Sequence, residues 1–129
     1  MGAVEPSNLL FGRDMRIKQG RDFARIRERG QRLALGCLVA NWQLRPEGPV
    51  SRLGVITSRK IGGAVIRNRA RRLMREAFRL HQHDLAGMVD LVLVARPSIA
   101  GKSLAEVEKD FLTTLRKAKL LREGSTGKP

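Results

Sequence analysis

The 129-residue sequence predicts a single α/β domain, with helices laid on a small sheet. Three segments carry that expectation. From Ala64 to Leu80 apolar residues return with a helical period, and from Val89 to Ala95 the run VDLVLVA is almost wholly apolar. After Ser103 a second helical stripe follows a capping box. A chain of 129 residues has room for one substantial core but not for two.

In chain order, residues 1–14 show no period and read as a flexible N-terminal arm. GRDFARIRERG sets Phe23 and Ile26 three apart between two glycines, a short helix capped near Asp22 and stopped at Gly30. RLALGCLVANWQL is apolar without helical spacing and reads as a strand, with a break at Gly36. RPEGP has the turn residues to reverse the chain, and SRLGVITS then reads as a second strand antiparallel to the first. Ile66, Ala70, Leu73, Met74, Ala77 and Phe78 form one apolar stripe along a helix. VDLVLVA, ended by Pro97, has the composition of a central strand buried on both faces. SLAEVEKDFLTTLRKAKLL opens on Ser103 and Glu106 and lays Leu104, Val107, Phe111, Leu115 and Ala118 along one helical face. Residues 122–129 read as a flexible tail. The order read from the residues is α, β, β, α, β, α.

The charge is the outlying property. Twenty-six Lys and Arg against 12 Asp and Glu give +14, while the apolar fraction, 42%, is that of an ordinary globular protein. Such an excess favours polyanionic partners, of which nucleic acid is the commonest. No stretch approaches the roughly 20 apolar residues of a spanning helix. The N-terminus has no basic region leading into an apolar run, and Pro6 breaks the pattern that would make Gly2 a myristoylation site. The single cysteine, Cys37, excludes an intramolecular disulfide and a cysteine zinc cluster, and within LGCLVANW it reads as an inert buried thiol. A cytoplasmic protein is expected.

The excess is concentrated on the helix from Ala64. Arg67, Arg71, Arg75 and Arg79 stand four apart, Arg69 and Arg72 form a second line, and Glu76 is the one acid among them. Solvated helices normally mix signs; here the mixing is absent, so the face reads as a ridge for phosphates, which a guanidinium binds with two parallel hydrogen bonds. Ahead of it, TSRKIGGAV turns into the helix through Gly62 and Gly63 and adds Arg59 and Lys60. It is no Walker loop, because no Gly-Lys-Ser/Thr follows. No catalytic side-chain set is evident. In HQHD, His81 and His83 are two apart and point to different sides, so they read as a solvated C-terminal cap rather than metal ligands.

RLGVITSRKIGGAVIRNRARRLMREAFR resembles the signature of the protein subunit of bacterial ribonuclease P. Arg67, Asn68 and Arg69 match its Arg-Asn-Arg hallmark, and Ser58 to Gly62 match its Ser-Lys-Lys-Val-Gly pattern with one arginine for lysine. GRDFARIRERG, DLVLVARP and SLAEVEKDFLTTLRK resemble the family's first helix, later strand and last helix, so the likeness covers about residues 15–121 as one RNA-binding domain. The resemblance implies an α/β (α+β) two-layer sandwich of order αβββαβα, related to a domain of a ribosomal protein. It also implies a left-handed crossover through the arginine-rich helix, where general rules predict a right-handed one.

The same resemblance implies a ribonucleoprotein endoribonuclease that removes the 5′ leader of precursor tRNA. Its RNA subunit is catalytic and holds most of the Mg2+; the protein, one monomer per RNA, binds the RNA and the substrate. By resemblance Phe23 is the aromatic of a leader cleft, with Arg67, Asn68, Arg71 and Arg75 on its basic side. Arg59, Lys60, Arg69 and Arg72 would face phosphates of the RNA subunit or of the substrate. Two positions depart from the family. Arg27 stands where a second aromatic is common, and Asn41 where tyrosine is frequent, with Trp42 on the opposite face by alternation. The cleft then relies more on charge and less on stacking. The competing reading of Phe23 packs it with Ile26 and Leu33 in the core. The competing function is that of a ribosomal or general RNA-chaperone protein. A helix-turn-helix lacks its first helix here, and a membrane-surface helix lacks an aromatic face.

Overall fold

A computed structural model describes residues 12, 15–45 and 51–122. The expectations for the arm, most of the RPEGP turn and the tail fall almost entirely outside these residues. Helix α1 (Gly20–Arg29) runs into a hairpin of β1 (Gln31–Leu35) and β2 (Leu38–Leu44). Strand β3 (Arg52–Ile56), helix α2 (Ala64–His81), strand β4 (Val89–Ala95) and helix α3 (Leu104–Lys117) follow, which is the order αβββαβα. The N-cap of α1 is Gln19, not Asp22; Asp22 lies inside the first turn, where a carboxylate meets the positive end of the helix.

The break expected at Gly36 divides the apolar run after Gly30 into two strands, β1 and β2, which pair antiparallel. Leu35 pairs with Leu38 across a two-residue turn, and Gly36 takes a φ of 59°, the left-handed region that a hairpin turn of this length needs. The Asp110 carboxylate of α3 occupies the space a side chain at Gly36 would fill and accepts the Cys37 amide at 3.0 Å. Burial, and then the Asp110 carboxylate beside it, push the Cys37 thiol up to about 12, so it is inert as expected.

Strand β3 is not the antiparallel partner of β2. The sheet order is β1-β2-β4-β3: β4 pairs antiparallel with β2 and parallel with β3, Leu53 opposite Leu91. β4 is apolar on both faces, so it takes the central place, with neighbours on both edges and helices on both sides. A reading of nearest neighbours in sequence cannot anticipate that insertion. The chain passes from β3 through α2 to its parallel neighbour β4, the crossover whose left-handed sense the family resemblance implies.

Alternation divides the sheet into two faces. Leu38, Ala40 and Trp42 of β2, Leu53 of β3 and Leu91 and Leu93 of β4 join Met74, Ala77 and Phe78 of α2 and Phe111 and Leu115 of α3 in the main core. The other face carries Ile17, Ile26 and Val92, with Phe23, Ile56 and Val94 packed around them. Leu33 belongs to the first group and Phe23 to the second, so the packing of Phe23 on Leu33 is not formed.

Two expectations on α2 need correction. Ile66 is 41% exposed because it folds back over Gly62 rather than into the core; the buried stripe begins at Ala70. His81 is not a solvated cap. Its ring is mostly enclosed, with Nδ1 2.9 Å from Asp84 and Nε2 2.5 Å from Glu108, and it rests against Phe111, so it ties the end of α2 to α3. The Ser103–Glu106 capping box of α3 forms as expected, both hydrogen bonds present.

Leu73 lies at the margin of the main core, partly buried. Leu73→Ala is therefore expected to cost about 1–2 kcal/mol, short of the roughly 2–5 kcal/mol of a fully enclosed leucine. Exposed Arg72→Ala should stay within about 0.5 kcal/mol. Denaturant melts of the two variants check this, and equal losses would show that α2 is rotated from the face assigned to it.

Candidate nucleic-acid interface

The arginine-rich helix is approached through a 3-10 turn, Arg59–Ile61, closed by the Ser58 hydroxyl accepting the Lys60 amide at 3.3 Å. Ile61 is buried and anchors the turn, which leaves Arg59 and Lys60 exposed. Gly63 is the N-cap of α2 and supplies no side chain to the first amides.

Of the four arginines in the i, i+4 row, three remain available to a ligand. Arg79 is taken by Glu76, with bonds of 3.0 and 2.6 Å, and that hydrogen bond holds the Glu76 carboxyl below its usual value. Arg71 is oriented by the fold: its guanidinium donates to Thr57 Oγ1 at the end of β3, 2.5 Å, and to Asn68 Oδ1 one turn back. Asn68 thus helps to orient Arg71. Arg67, Arg69 and Arg75 are half-buried, and Arg72 and Asn68 are exposed. Arg69 lies on a different side of the helix from the Arg67–Arg71–Arg75 row, two positions on from Arg67.

Beside this row lies a cleft lined by Arg16, Ile17, Lys18, Phe23, Leu53, Gly54, Val55 and Arg75. Its floor depends on Gly54: a Cβ there would come within 2.6 Å of the Phe23 ring, so only glycine lets the ring lie on the strand. Burial, and then the charges of Arg16 and Arg71, hold the Arg75 guanidinium below its usual value. The charges that perturb Arg75 are therefore cations like itself, a repulsion that an incoming anion would relieve.

Arg27 is one turn beyond Phe23 and exposed, but it does not line this cleft. Asn41 shares the sheet face and a register row with Val92 and Gly54, yet at 3% exposure it offers a ligand little surface. Trp42 points to the main core, as alternation requires. Sequence reading missed Arg16, Lys18, Gly54 and Thr57. The first two flank Ile17, whose amide bonds to the Leu53 carbonyl at 2.9 Å and lays this segment along β3. The alternation of charge around Ile17 was the available signal.

The sequence model of the family described as ribonuclease P matches residues 11–119. The chain belongs to the ribonuclease P protein family. Among its relatives, the ribonuclease P protein component of Geobacillus sp. (strain WCH70) is 37% identical over 107 residues, covering 83% of this chain and 92% of the relative. That of Gluconacetobacter diazotrophicus is 37% identical over 111 residues, 84% of this chain and 95% of the relative. The solved structure of the Staphylococcus aureus RNase P protein superposes with a TM-score of 0.76 at 30% identity, covering 84% of this chain and 98% of that one. The RNase P protein from Thermotoga maritima gives 0.71 at 27% identity, covering 79% and 96%. The α+β sandwich is thus the ribonuclease P protein fold. Among the described residues no helix is long and apolar enough to cross a membrane, and no group of three or more His, Cys, Asp or Glu is placed to hold a metal ion.

Proposed function

We propose that this chain is the RNA-binding protein subunit of a cytoplasmic ribonuclease P ribonucleoprotein. It binds the catalytic RNA and the 5′ leader of precursor tRNA, one protein monomer per RNA, and promotes endonucleolytic removal of the leader. The observation that carries the reading is the Phe23 cleft, an aromatic ring on a glycine floor with Arg75 beside it and Arg16 and Arg71 close enough to repel that charge. Single-stranded RNA is held by this pairing of cations for phosphates and a ring for a base. Arg67, Arg71 and Arg75 serve the backbone on the cleft side; Arg59, Lys60, Arg69 and Arg72 serve phosphates of the RNA subunit or the substrate. The catalytic RNA, which carries most of the Mg2+, supplies the cleavage chemistry. The protein side chains bind, orient and screen charge.

The direct test is whether the purified chain restores cleavage of a precursor tRNA by a bacterial ribonuclease P RNA at low Mg2+; failure to restore it would overturn the assignment. Within the reconstituted enzyme, Phe23→Ala is expected to weaken precursor tRNA binding by about 1–3 kcal/mol, the worth of one stacked base, and to leave mature tRNA unaffected. Because Phe23 also packs on the Ile17, Ile26 and Val92 cluster, the variant should lose about 1 kcal/mol of stability, and binding is compared below its melting range. Arg27 is exposed one turn beyond Phe23 but outside the cleft lining, so it acts on the leader only through its charge: Arg27→Ala should show the same substrate preference with a smaller loss that fades as salt screens it. Equal losses on both tRNAs would remove these residues from the leader site.

A further inference from the structure

The two flanks of α1 meet the sheet differently. On one flank Phe23 lies over Gly54 and beside the Arg75 cleft. On the other, Asp22 and Arg25 reach the row formed by Gln43, Asp90 and Arg52 across β2, β4 and β3. Ile26 is the one residue of α1 that is fully buried, with Phe23 partly buried beside it, so the apolar area that holds the helix on the sheet is small.

The polar attachment converges on one carboxylate. Asp90 is 0% exposed, the second residue of an otherwise apolar strand. Arg52, opposite it on β3, takes both its oxygens, Nε to Oδ1 at 3.0 Å and Nη2 to Oδ2 at 2.8 Å. Arg45 lies 3.3 Å from Oδ1. From α1, Arg25 Nη2 donates to Oδ2 at 3.2 Å, while its Nη1 donates to the Gln43 amide oxygen and its Nη2 also meets Asp22 at 3.3 Å. Asp22 returns toward Arg52 at 3.9 Å. Arg25 is thus the strut between helix and sheet, and its direction is set by three acceptors on two strands and its own helix. Such charge-assisted bonds fix an angle that apolar packing leaves soft.

We infer that Asp90 is a positioning residue for the cleft: through Arg25 it sets where α1 lies on the sheet, and so where the Phe23 ring stands beside Arg75. This rests on the reading of the Phe23 cleft as the leader site. Asp90 itself does not line that cleft.

The experiment measures the affinity of the reconstituted ribonucleoprotein for precursor and mature tRNA with Asp90→Asn and Arg25→Gln, each also in a Phe23→Ala background. Arg25→Gln cuts the strut but leaves the Asp90–Arg52 pair intact, so it carries the test if Asp90→Asn does not fold. Trp42, on the opposite face, reports the integrity of the main core by its fluorescence. Precursor affinity is expected to fall in both variants, up to the loss of Phe23→Ala itself, roughly 5- to 150-fold for one stacked base. Mature tRNA affinity should not change, and in the Phe23→Ala background neither substitution should weaken binding further. Losses that add to that of Phe23→Ala, or that fall equally on both tRNAs, overturn the inference. So does an unchanged precursor affinity where Phe23→Ala alone weakens it. If Phe23→Ala has no effect on precursor binding, the leader reading fails first and this inference with it.

Discussion

Replacing Arg67, Arg71 and Arg75 together by glutamine is expected to flatten the salt dependence of RNA affinity by about two to three units of log–log slope. Each phosphate contact contributes about 0.7–0.9 through counterion release. At about 0.1 M salt that corresponds to a loss of roughly 100- to 500-fold, shrinking toward nothing near 1 M. Stability should move little. Arg75 loses a repulsion from Arg16 and Arg71, while Arg71 gives up its bonds to Thr57 and Asn68, and these changes oppose one another. Arg79→Gln is the internal control. It belongs to the same row but is paired with Glu76, so it should leave the slope almost unaltered. Affinities across a salt series, with a melting curve for each variant, make the measurement. An unchanged slope in the triple variant would end the phosphate-ridge interpretation.

Asp90→Asn is expected to cost about 3 kcal/mol of stability, the low end for breaking a buried ion pair. The low end applies because the side chains of Arg25, Arg45 and Arg52 keep 32%, 19% and 24% of their surface exposed and can rehydrate. The pH dependence follows from the carboxyl. Burial pushes its affinity for protons up, but the hydrogen bonds of Arg52 and Arg25 and the charges of Arg52 and Arg45 outweigh that, holding it below the ordinary 3.8. A group depressed on folding contributes stability that is fully present above the unfolded value, near 3.8, and is lost as pH falls through the lower folded one. The gap between wild type and Asp90→Asn should therefore be constant from neutral pH to about 5 and close below about 4. Chemical denaturation at stepped pH reads the gap directly. A gap that persisted undiminished at pH 2 would show that the carboxylate charge is not what stabilises the fold.

The sequence by itself determined the parts whose cause is local. The stripe from Ala70 to Phe78, the Ser103–Glu106 box and the helix behind it, and the apolar run of β4 all report periodicity or capping within a few residues. The arginine row was legible for the same reason, and resemblance to a known family supplied the order αβββαβα. What the tertiary structure decided involves partners far apart in the chain. β3 lies beside β4 and not β2, because the most apolar strand takes the centre of the sheet. His81 is held between Asp84 and Glu108 because α3 brings its carboxylate there, 27 positions away. Asp90, an acid near the start of an apolar run, finds its arginines on α1 and β3, 65 and 38 positions off. Phe23 gains a floor only because Gly54 lies beneath it. A carboxylate or a ring is tolerated at such a position when its neighbours satisfy it, and those neighbours are chosen by how the layers stack.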